Sequence, residues 1–397
     1  MNINQMNRRG FLKASALAGG GLMLELSLPT SVLGQDLGTL VGSKELNVYV
    51  QIASDGRITI YSANPEMGQG IKTSLPMIIA EEMGAKWEDV VVLQAPINAS
   101  KYGSQGAGGS TSIPRNFDMM RQMGASAREM LIGAASESME VERQDLMARE
   151  STVVHTSGQS LTFGELAALA VRQPIPDPAT LSYKDPRAYT IIGTSIGGVD
   201  NLAIVTGQSE FGIDVDLDGM KYASYTRCPR VGGRAISFNE VEIKQLPGII
   251  DAFILEPDDR SGLASRAFLE GLAVLRGGVA IIGEDTWAVF DAKSKLKVAW
   301  DETSASSDDW LQMVAEAKKI ASAGGGEVSL DGATVDLELN DKANQVHEAF
   351  YQFPYVAHVC LEPMNCTADY RKGSDGKGDT LAVWIPSQFP AQVKEIA

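Results

Sequence analysis

The sequence predicts a mixed α+β protein with more than one domain. Segments in which apolar and polar residues alternate, as in half-buried strands, lie next to segments with apolar residues at helical spacing. Gly- and Pro-rich stretches between them indicate turns and loops. The chain has 397 residues, 44% apolar and 21% charged, which is enough for two or three domains with large cores.

The first predicted block opens with a hairpin. Residues 46–53 and 57–62 alternate apolar and polar, and the Ser-Asp-Gly sequence between them favours a tight turn. Residues 71–83 have apolar side chains at helical spacing, and residues 90–95 are rich in valine, which is typical of a strand. The block therefore predicts two strands, a helix and a further strand.

A long helix and a linker complete this block. A Gly/Ser loop over residues 103–112 precedes an amphipathic helix over residues 117–139, entered at Pro114, which the first turn of a helix tolerates. Residues 173–186 are rich in proline and aspartate and predict a linker.

The rest of the chain predicts a second, β-rich block over residues 203–300 and a last block that starts near residue 344. The elements expected there are strands at 220–227, 235–238, 249–255, 278–282 and 380–386 and a helix at 286–296. Residues 303–329 are small and polar and indicate a surface helix and loop. Residues 388–397 resemble the start of a helix with neither cap nor terminator, so we expect a fragment or one half of a split protein.

The N-terminus has the features of an export signal. Arg8 and Arg9 precede an apolar run over residues 14–29 that is short, Gly-rich and interrupted by Glu25, which makes it a poor membrane span. The paired arginines favour a twin-arginine signal over residues 1–34, with a disordered basic tail as the alternative. We therefore expect an exported, periplasmic protein.

Composition excludes several classes of function. With 34 Lys plus Arg against 50 Asp plus Glu, the net charge of −16 argues against a nucleic-acid partner and against docking on anionic lipid. The three cysteines form no CxxC pair, which argues against a thioredoxin-like motif, a zinc ribbon or an iron–sulfur site made of cysteines. The three histidines are too scattered for HExxH zinc chemistry.

Two Gly-rich segments that each precede a predicted helix are the candidate binding sites. In the first, Gly68 and Gly70 let the backbone approach a ligand, and the amide of Gln69 can donate and accept hydrogen bonds. The helix start that follows offers free N–H groups to an anion. The alternative is a simple tight turn between a strand and a helix.

The second segment, residues 103–112, contains Gly108, Gly109 and Ser110, whose N–H and hydroxyl groups suit a phosphate. It lacks the Gly-Lys-Ser/Thr ending of a P-loop, and a flexible loop is the alternative.

Two other segments imitate metal sites. Residues 214–219 resemble the opening of a calcium loop, but Tyr225 stands where a bidentate glutamate is needed. The polar residues from His358 to Cys366 are too close together for a known four-ligand zinc spacing, and a buried structural segment is the alternative. We therefore predict no metal ion ligated by the side chains of this chain.

Taken together, these segments resemble the molybdenum-binding large subunits of the xanthine dehydrogenase and aldehyde oxidase family, especially the isoquinoline 1-oxidoreductase beta-subunit type. The residues that carry the likeness are Glu66–Gly70, Thr73, Leu75, Ala80–Glu82, Gly108–Ser112, Asp214, Gly219–Met220, Arg227–Pro229, Gly232–Gly233, Leu246–Gly248, Gly283–Ala288, Trp300–Glu302, Pro354–His358, Leu361–Ala368, Trp384 and Ser387–Gln388. The resemblance implies a molybdopterin-binding segment over residues 40–190, an inserted α/β-hammerhead domain over 200–305 and the start of a second molybdopterin-binding segment over 340–397.

The resemblance also implies roles for the loop residues. Gln69 matches the family's glutamine that hydrogen-bonds an oxygen ligand of molybdenum, and Gly68 and Gly70 let the backbone pass close to the pterin or the metal. By the same likeness, Gly108, Gly109 and Ser110 are cofactor contacts.

No catalytic base is assigned within the chain. The family's base is a glutamate in a Gly-x-Gly-Glu setting near the end of a much longer chain, so the resemblance places it beyond residue 397. Glu327 ends the string Gly-Gly-Gly-Glu in a stretch expected to be a solvated loop, and Glu284 lies in the hammerhead region. Neither is assigned the role.

The implied activity is oxidation of an N-heteroaromatic compound or an aldehyde, with water as the oxygen source. The implied cofactor is a molybdenum–pterin in its dinucleotide form, and electrons pass to a small [2Fe–2S] subunit and a cytochrome c, with membrane association through a partner. Two alternatives stay open: a catalytically incomplete scaffold or binding protein, and one half of a split enzyme.

Overall fold

A computed structural model describes residues 44–259, 274–323, 332–373 and 378–396. The predicted export signal and Glu327 lie outside these residues. The chain forms two compact units: the described residues up to Val215 together with those from Met364 onwards, and Asp216–Pro363. Helices and strands occur in both units, which confirms the α+β class. The domain ranges given above stay predictions.

The first unit contains a four-stranded mixed sheet. Its strands are β1 (Lys44–Asn47), β2 (Val50–Ile52), β3 (Ile58–Ser62) and β4 (Val90–Gln94), in that order. Neighbours from β1 to β3 are antiparallel, which confirms the hairpin, whereas β3 and β4 are parallel. A turn at residues 48–49 divides the predicted first strand into β1 and β2. Helix α1 (Ile71–Met83) connects β3 to β4 over the predicted residues.

Two helices pack closely beside this sheet. After the short α2 (Ala99–Tyr102), helix α3 runs over Ser112–Met139, so it begins before the predicted residue 117 and Pro114 lies in its first turn. A Cβ atom on Gly124 of α3 would lie 2.4 Å from the carbonyl oxygen of Ile79 in α1. Only glycine therefore permits this close crossing of α1 and α3.

A small antiparallel sheet follows α3, and the sequence analysis did not predict it. It comprises β5 (Leu146–Arg149), β6 (Thr152–His155) and β7 (Ser160–Thr162) and leads into α4 (Phe163–Ala170) and, later, α5 (Asn201–Val205). The largest fully buried side chains of the first unit are Tyr49, Ile52, Ile58, Ile60, Leu75, Ile79, Met83, Met120, Leu131, Phe163 and Leu166. These side chains come from the main sheet, the turn between β1 and β2, α1, α3 and α4, which therefore share one core.

An irregular segment, residues 181–192, is fastened to α1, and we call it the strap. The fully buried carboxylate of Glu81 accepts hydrogen bonds from the N–H groups of residues 190–192, at 2.6–3.1 Å, and from Nζ of Lys184, at 2.8 Å. Residues 173–186 are irregular, as predicted, but their end is a packed strap and not a free linker.

The second unit is β-rich, as predicted. Its elements are β8 (Tyr222–Arg227), β9 (Arg234–Phe238), α6 (Glu240–Lys244), β10 (Ile249–Leu255), β11 (Asp258–Asp259), β12 (Val274–Leu275), β13 (Gly278–Gly283), α7 (Thr286–Lys295), β14 (Val298–Asp301), α8 (Trp310–Ala323) and α9 (Gly332–Asn340). Strand β13 lies between β10 and β8, and β9 pairs with β14. The predicted strands and helix of this block are confirmed within two residues at each end. A small core of Ile243, Ala252, Ile281, Val289 and Ala292 lies beneath the sheet.

The described residues at the end of the second unit supply no buried side chain. No described residue from Trp310 to Pro363 is buried. Within it, residues 350–361 form an exposed apolar stretch, in which Val359 is 84% exposed and Leu361 fully exposed.

The chain ends in a hairpin and a helix that belong to the first unit. Strand β15 (Thr367–Arg371) pairs with β16 (Thr380–Trp384), and α10 covers Pro390–Ile396, which confirms the predicted last strand and helix. Across the described residues, we find no helix with the length and apolar character that a membrane span requires.

Candidate functional site

The two predicted binding segments lie at the same edge of the main sheet. Residues 63–70, the Gln69 loop, follow β3, and residues 103–111, the Gly108 loop, follow β4 through the short α2. Because β3 and β4 are parallel, with Ser62 opposite Gln94, their carboxyl ends meet at this edge. Ligands of parallel sheets typically bind outside the carboxyl ends of the strands.

The backbone of the Gln69 loop is open where its glycines stand. Gly68 and Gly70 have φ angles of 99° and 81°, in the left-handed region that favours glycine. Apart from the glycine itself and its two chain neighbours, no residue has an atom within 4 Å of the position that a Cβ would occupy on Gly68 or Gly70. A flat ligand can therefore approach the peptide planes of this loop.

The carboxylate of Glu66 already binds N–H groups in the Gln69 loop and at the start of α1. The carboxylate of Glu66 accepts hydrogen bonds from the N–H groups of Gly68 at 2.7 Å, Gly70 at 3.0 Å and Lys72 at 2.8 Å. The expectation that these groups are free for an anion is therefore wrong. A carboxylate at a helix start also places negative charge where the macrodipole favours it, and it repels a second anion.

The side chain of Gln69 folds back on its own loop. Its Oε1 accepts a hydrogen bond from the N–H of Met67 at 2.8 Å, and its Nε2 donates to the carbonyl of Pro65 at 3.1 Å. Gln69 is exposed, and both hydrogen bonds stay within the loop. A ligand can compete for this amide by replacing these two exposed bonds.

Residues 106–108 of the Gly108 loop contact the C-terminal segment of the same unit. The N–H of Ala107 donates to the carbonyl of Gln388 at 2.9 Å, and Nε2 of Gln388 donates to the carbonyl of Ala107 at 3.1 Å. The ring of Phe389 lies over Gly106 and Gly108, within 2.9 and 3.2 Å of the position of a Cβ. These two glycines make room for the ring. Gly109 and Ser110 remain exposed, with φ angles of 60° and 56°.

Two buried amides that sequence patterns did not reveal join the loops. Nδ2 of Asn64 donates to the carbonyl of Gly106 at 2.7 Å. Nε2 of Gln105 donates to the carbonyl of Pro96 at 3.0 Å and approaches that of Ala63 at 3.4 Å. Asn64 and Gln105 are each 4% exposed. Asn64 precedes a proline and Gln105 lies in a Gly-rich run. Neither local pattern predicts a hydrogen bond to a distant part of the chain.

The start of α1 is held by a further ion pair that the sequence did not reveal. Nζ of Lys72, whose side chain is 8% exposed, lies 2.8 Å from both carboxylate oxygens of Asp200. The hydroxyl of Thr73 accepts a hydrogen bond from the N–H of Val199 at 3.0 Å. Residues 199–200 therefore fix the beginning of the helix that follows the Gln69 loop.

The other groups considered above do not join this site. Glu284 is exposed and pairs with Lys221. Among the described residues, no cluster of three or more His, Cys, Asp or Glu side chains can hold a metal ion. Of the cysteines, Cys228 is buried, Cys360 half-buried and Cys366 exposed, and none pairs in a disulfide.

The sequence is similar to known proteins over most of its length. A family model for a molybdopterin cofactor-binding domain matches residues 26–208, the stretch that carries both loops. The chain is 29% identical to a membrane-bound aldehyde dehydrogenase [pyrroloquinoline-quinone] of Gluconacetobacter polyoxogenes, over 93% of its length and 47% of the relative's. It is 30% identical to the beta subunit of the isoquinoline 1-oxidoreductase of Brevundimonas diminuta, over 64% of this chain and 35% of that one.

A third relative is a nicotinate dehydrogenase subunit of Pseudomonas putida, which is 25% identical over 94% of this chain and 30% of its own length. These matches support a molybdopterin-binding subunit of the xanthine dehydrogenase and aldehyde oxidase family. The chain spans between 30% and 47% of the length of these three relatives. A crystal structure of Cu,Mo-CO dehydrogenase aligns with 28% of this chain and 15% of its own, at 18% identity and a TM-score of 0.20.

The match to a molybdopterin cofactor-binding domain gives the two loops a common context. The Gln69 loop and the Gly108 loop both lie within the matched residues and meet at one sheet edge. The residues that join them, Asn64 and Gln105, also lie within the match.

Proposed function

We propose that this chain is the cofactor-holding part of a molybdenum hydroxylase that oxidises an N-heteroaromatic compound or an aldehyde, with water as the oxygen source. One observation carries the proposal: the molybdopterin-binding match covers two Gly-rich loops that meet at the carboxyl edge of parallel strands. The names of the relatives support the substrate class, since two are named for the N-heteroaromatic compounds isoquinoline and nicotinate and one for an aldehyde.

The residues of the Gln69 loop suit a pterin cofactor. The open space over Gly68 and Gly70 admits a flat ligand close to the backbone. Gln69 offers a neutral amide, which can orient an oxygen atom on a metal without adding charge beside it. The carboxylate of Glu66 disfavours a phosphate at this helix start, so this loop suits the uncharged part of the cofactor.

The Gly108 loop contributes less than its composition suggests. Phe389 lies beside Gly106 and Gly108, and the exposed residues at the tip of the loop, Gly108, Gly109 and Ser110, remain accessible to a ligand. When bound, the molybdenum centre would supply two-electron oxidation and oxygen transfer, and the residues of this chain would hold and orient it.

Further parts of the proposal rest on the family. The proposed cofactor is the dinucleotide form, and the proposed electron acceptor is a [2Fe–2S] subunit, followed by a cytochrome c. We expect the catalytic glutamate in polypeptide that corresponds to the relatives' remaining length. Export through the predicted signal over residues 1–34 would place the protein in the periplasm, held at the membrane through a partner.

The test is the cofactor content of the protein as purified from its source cells with its native partners. We expect molybdenum and a pterin in equal amounts. Pyrroloquinoline quinone, named in one relative, should be absent. A preparation that holds neither molybdenum nor pterin contradicts the proposal.

Variants of the same complex test the role of Gln69. Gln69→Ala should reduce turnover about 10- to 100-fold, as losses of supporting hydrogen bonds around a metal site do, while the molybdenum content and the melting temperature stay unchanged. Gln159→Ala removes an exposed glutamine from the β6–β7 turn and should leave turnover unchanged. Undiminished turnover of Gln69→Ala at full molybdenum occupancy would exclude the contact.

A further inference from the structure

We propose that Asn64 and Gln105 are positioning residues: their buried amides lock the Gln69 loop and the Gly108 loop into one rigid frame on which the cofactor is held. The inference rests on the proposed function and adds to it two residues that touch neither the cofactor nor the substrate. The reasons are the direction of their bonds, their burial and their chemistry.

The bonds of the two amides run in opposite directions between the segments that follow β3 and β4. Asn64 belongs to the Gln69 loop and reaches the backbone of Gly106 in the Gly108 loop. Gln105 belongs to the Gly108 loop and reaches back towards the backbone of Ala63, at 3.4 Å. Each link spans 42 positions in the sequence. Such a pair of links resists sliding of one loop past the other.

Gln105 also fastens its own loop to the end of β4. Its Oε1 accepts a hydrogen bond from the N–H of Asn98 at 2.7 Å, while its Nε2 donates to Pro96 at 3.0 Å. The amide therefore uses both its acceptor and its donor. Neither a carboxylate nor a lysine can do both at neutral pH.

Burial makes these links costly to break. The side chains of Asn64 and Gln105 are 4% exposed, and the bond from Gln105 to Ala63 is buried, so little water reaches these amides. The carbonyls of Gly106 and Pro96 lie in part-buried bonds, so a part of the desolvation cost applies to them when the donor is lost. The exposed hydrogen bonds of Gln69 lack this protection, so the loop tip can rearrange around a ligand while its base stays fixed.

A rigid frame favours cofactor binding because the ordering of the loops has already occurred on folding. If the links are removed, each loop must be ordered again when the cofactor binds, and the cofactor settles in more than one orientation. The expected signs are faster local opening of the partner loop, loss of cofactor and a heterogeneous molybdenum environment.

The first measurement is hydrogen–deuterium exchange of the full chain without cofactor. Asn64→Ala should speed exchange in residues 106–111 at least tenfold, and Gln105→Ala should do the same in residues 66–70, because each substitution frees the other loop. Asn47→Ala is the matched control: Nδ2 of Asn47 donates to the carbonyl of Met123 at 3.2 Å, outside both loops. Unchanged exchange in the partner loops would overturn the inference.

The second measurement uses the native complex loaded with cofactor. The double variant Asn64→Ala/Gln105→Ala should retain less than a fifth of the molybdenum, and the remainder should give a broadened electron paramagnetic resonance signal of molybdenum(V). The Asn47→Ala control, compared at an equal loss of melting temperature, should keep its cofactor and a single narrow signal. If the double variant matches this control in both readouts, Asn64 and Gln105 have a structural role and do not position the cofactor.

The two measurements separate this inference from the proposed function. If the exchange shows the coupling but the wild-type complex carries neither molybdenum nor pterin, the proposed function and the positioning role both fail and only a structural lock remains. If the wild-type complex carries the cofactor but the exchange shows no coupling, the proposed function stands and the positioning role fails.

Discussion

Glycine occurs in the candidate site for two different physical reasons. At Gly68 and Gly70 the backbone has a positive φ and open space above it, so glycine is needed for conformation and leaves room for a ligand. At Gly106 and Gly108 the ring of Phe389 occupies the position of a side chain. A Gly-rich loop in a sequence therefore indicates close approach, but the approaching group can be the protein itself.

Replacement of Gly106 tests this explanation. In Gly106→Ala the new Cβ would lie 2.9 Å from Cδ1 of Phe389, so the ring or the loop must move. We expect a loss of about 1–3 kcal/mol in the free energy of unfolding, as for other overpacked sites. Urea denaturation of the chain measures it.

A double-mutant cycle supplies the control. Phe389→Ala should remove most of the additional cost of Gly106→Ala, because the clash then has no partner. Gly197→Ala, whose nearest neighbour would be 4.0 Å away, should change stability by less than about 0.5 kcal/mol. Equal costs of Gly106→Ala with and without Phe389 would show that the ring is not the reason for the glycine.

Helix α1 combines an apolar core face with two fully buried carboxylates. Glu82 accepts hydrogen bonds from Nε of Arg121 at 2.6 Å and from the N–H of Lys184 at 3.0 Å, while Glu81 binds the strap. Burial raises the pKa of Glu81, but hydrogen bonds from Lys184 and from the N–H groups of residues 190–192 outweigh it and hold the pKa below its ordinary value. The charged form of Glu81 therefore stabilises the fold.

The substitution Glu81→Gln should lower the free energy of unfolding at pH 7 by about 2–4 kcal/mol, because an amide cannot match a carboxylate as acceptor for Lys184 and three N–H groups. The pKa of Glu81 is lower in the folded than in the unfolded state. Its contribution to the free energy of unfolding is therefore complete above the unfolded-state pKa of about 4.3. This contribution declines as the pH falls through the folded-state pKa. The difference between wild type and variant should therefore shrink below about pH 4.

Denaturation of both proteins between pH 3 and pH 7 checks this prediction. The exposed Glu88 provides the matched control, since Glu88→Gln at the protein surface should shift stability by less than about 0.5 kcal/mol across the range. A difference that grows as the pH falls would contradict the assignment of Glu81 as a depressed, stabilising carboxylate.

Local patterns predicted most elements of the structure, and long-range bonds account for most of what they missed. The helix over residues 71–83 and the strand over 249–255 follow from spacing and composition alone. The short strands β5 to β7 depend on pairing with each other and gave no signal on their own. Glu66, Asn64 and Gln105 shape the candidate site through contacts that the pattern of one segment does not encode.

At the scale of the whole molecule, residues 350–361 expose a stretch of apolar side chains that we expect to affect the solution behaviour of the chain. Contiguous exposed apolar surface favours association, whereas isolated exposed apolar residues are ordinary. Val356 is 82% exposed and Leu361 fully exposed, and neither lies in a helix or strand.

We expect the chain on its own to bind a hydrophobic dye and to self-associate as its concentration rises. The substitutions Val356→Lys and Leu361→Lys together should reduce dye fluorescence at least twofold and lower the weight-average mass measured by sedimentation. The melting temperature should change little, because both side chains are more than 80% exposed in the described structure. Met147→Lys replaces an isolated apolar residue, 62% exposed, and should change neither readout. If the double variant still self-associates, residues 350–361 are not the surface responsible.

The contact between Ala107 and Gln388 joins residues that are 281 positions apart. A ribosome adding roughly 5–20 residues per second takes about 15–55 s to make the polypeptide between them. During this interval the Gly108 loop has been synthesised but lacks the ring of Phe389 and the backbone of Gln388 that contact it. The sheet, α1 and α3 come from nearby sequence and can fold first, so this loop reaches its final form only after Phe389 has left the ribosome. Synthesis therefore sets the earliest moment at which a ligand meets both loops in their finished arrangement.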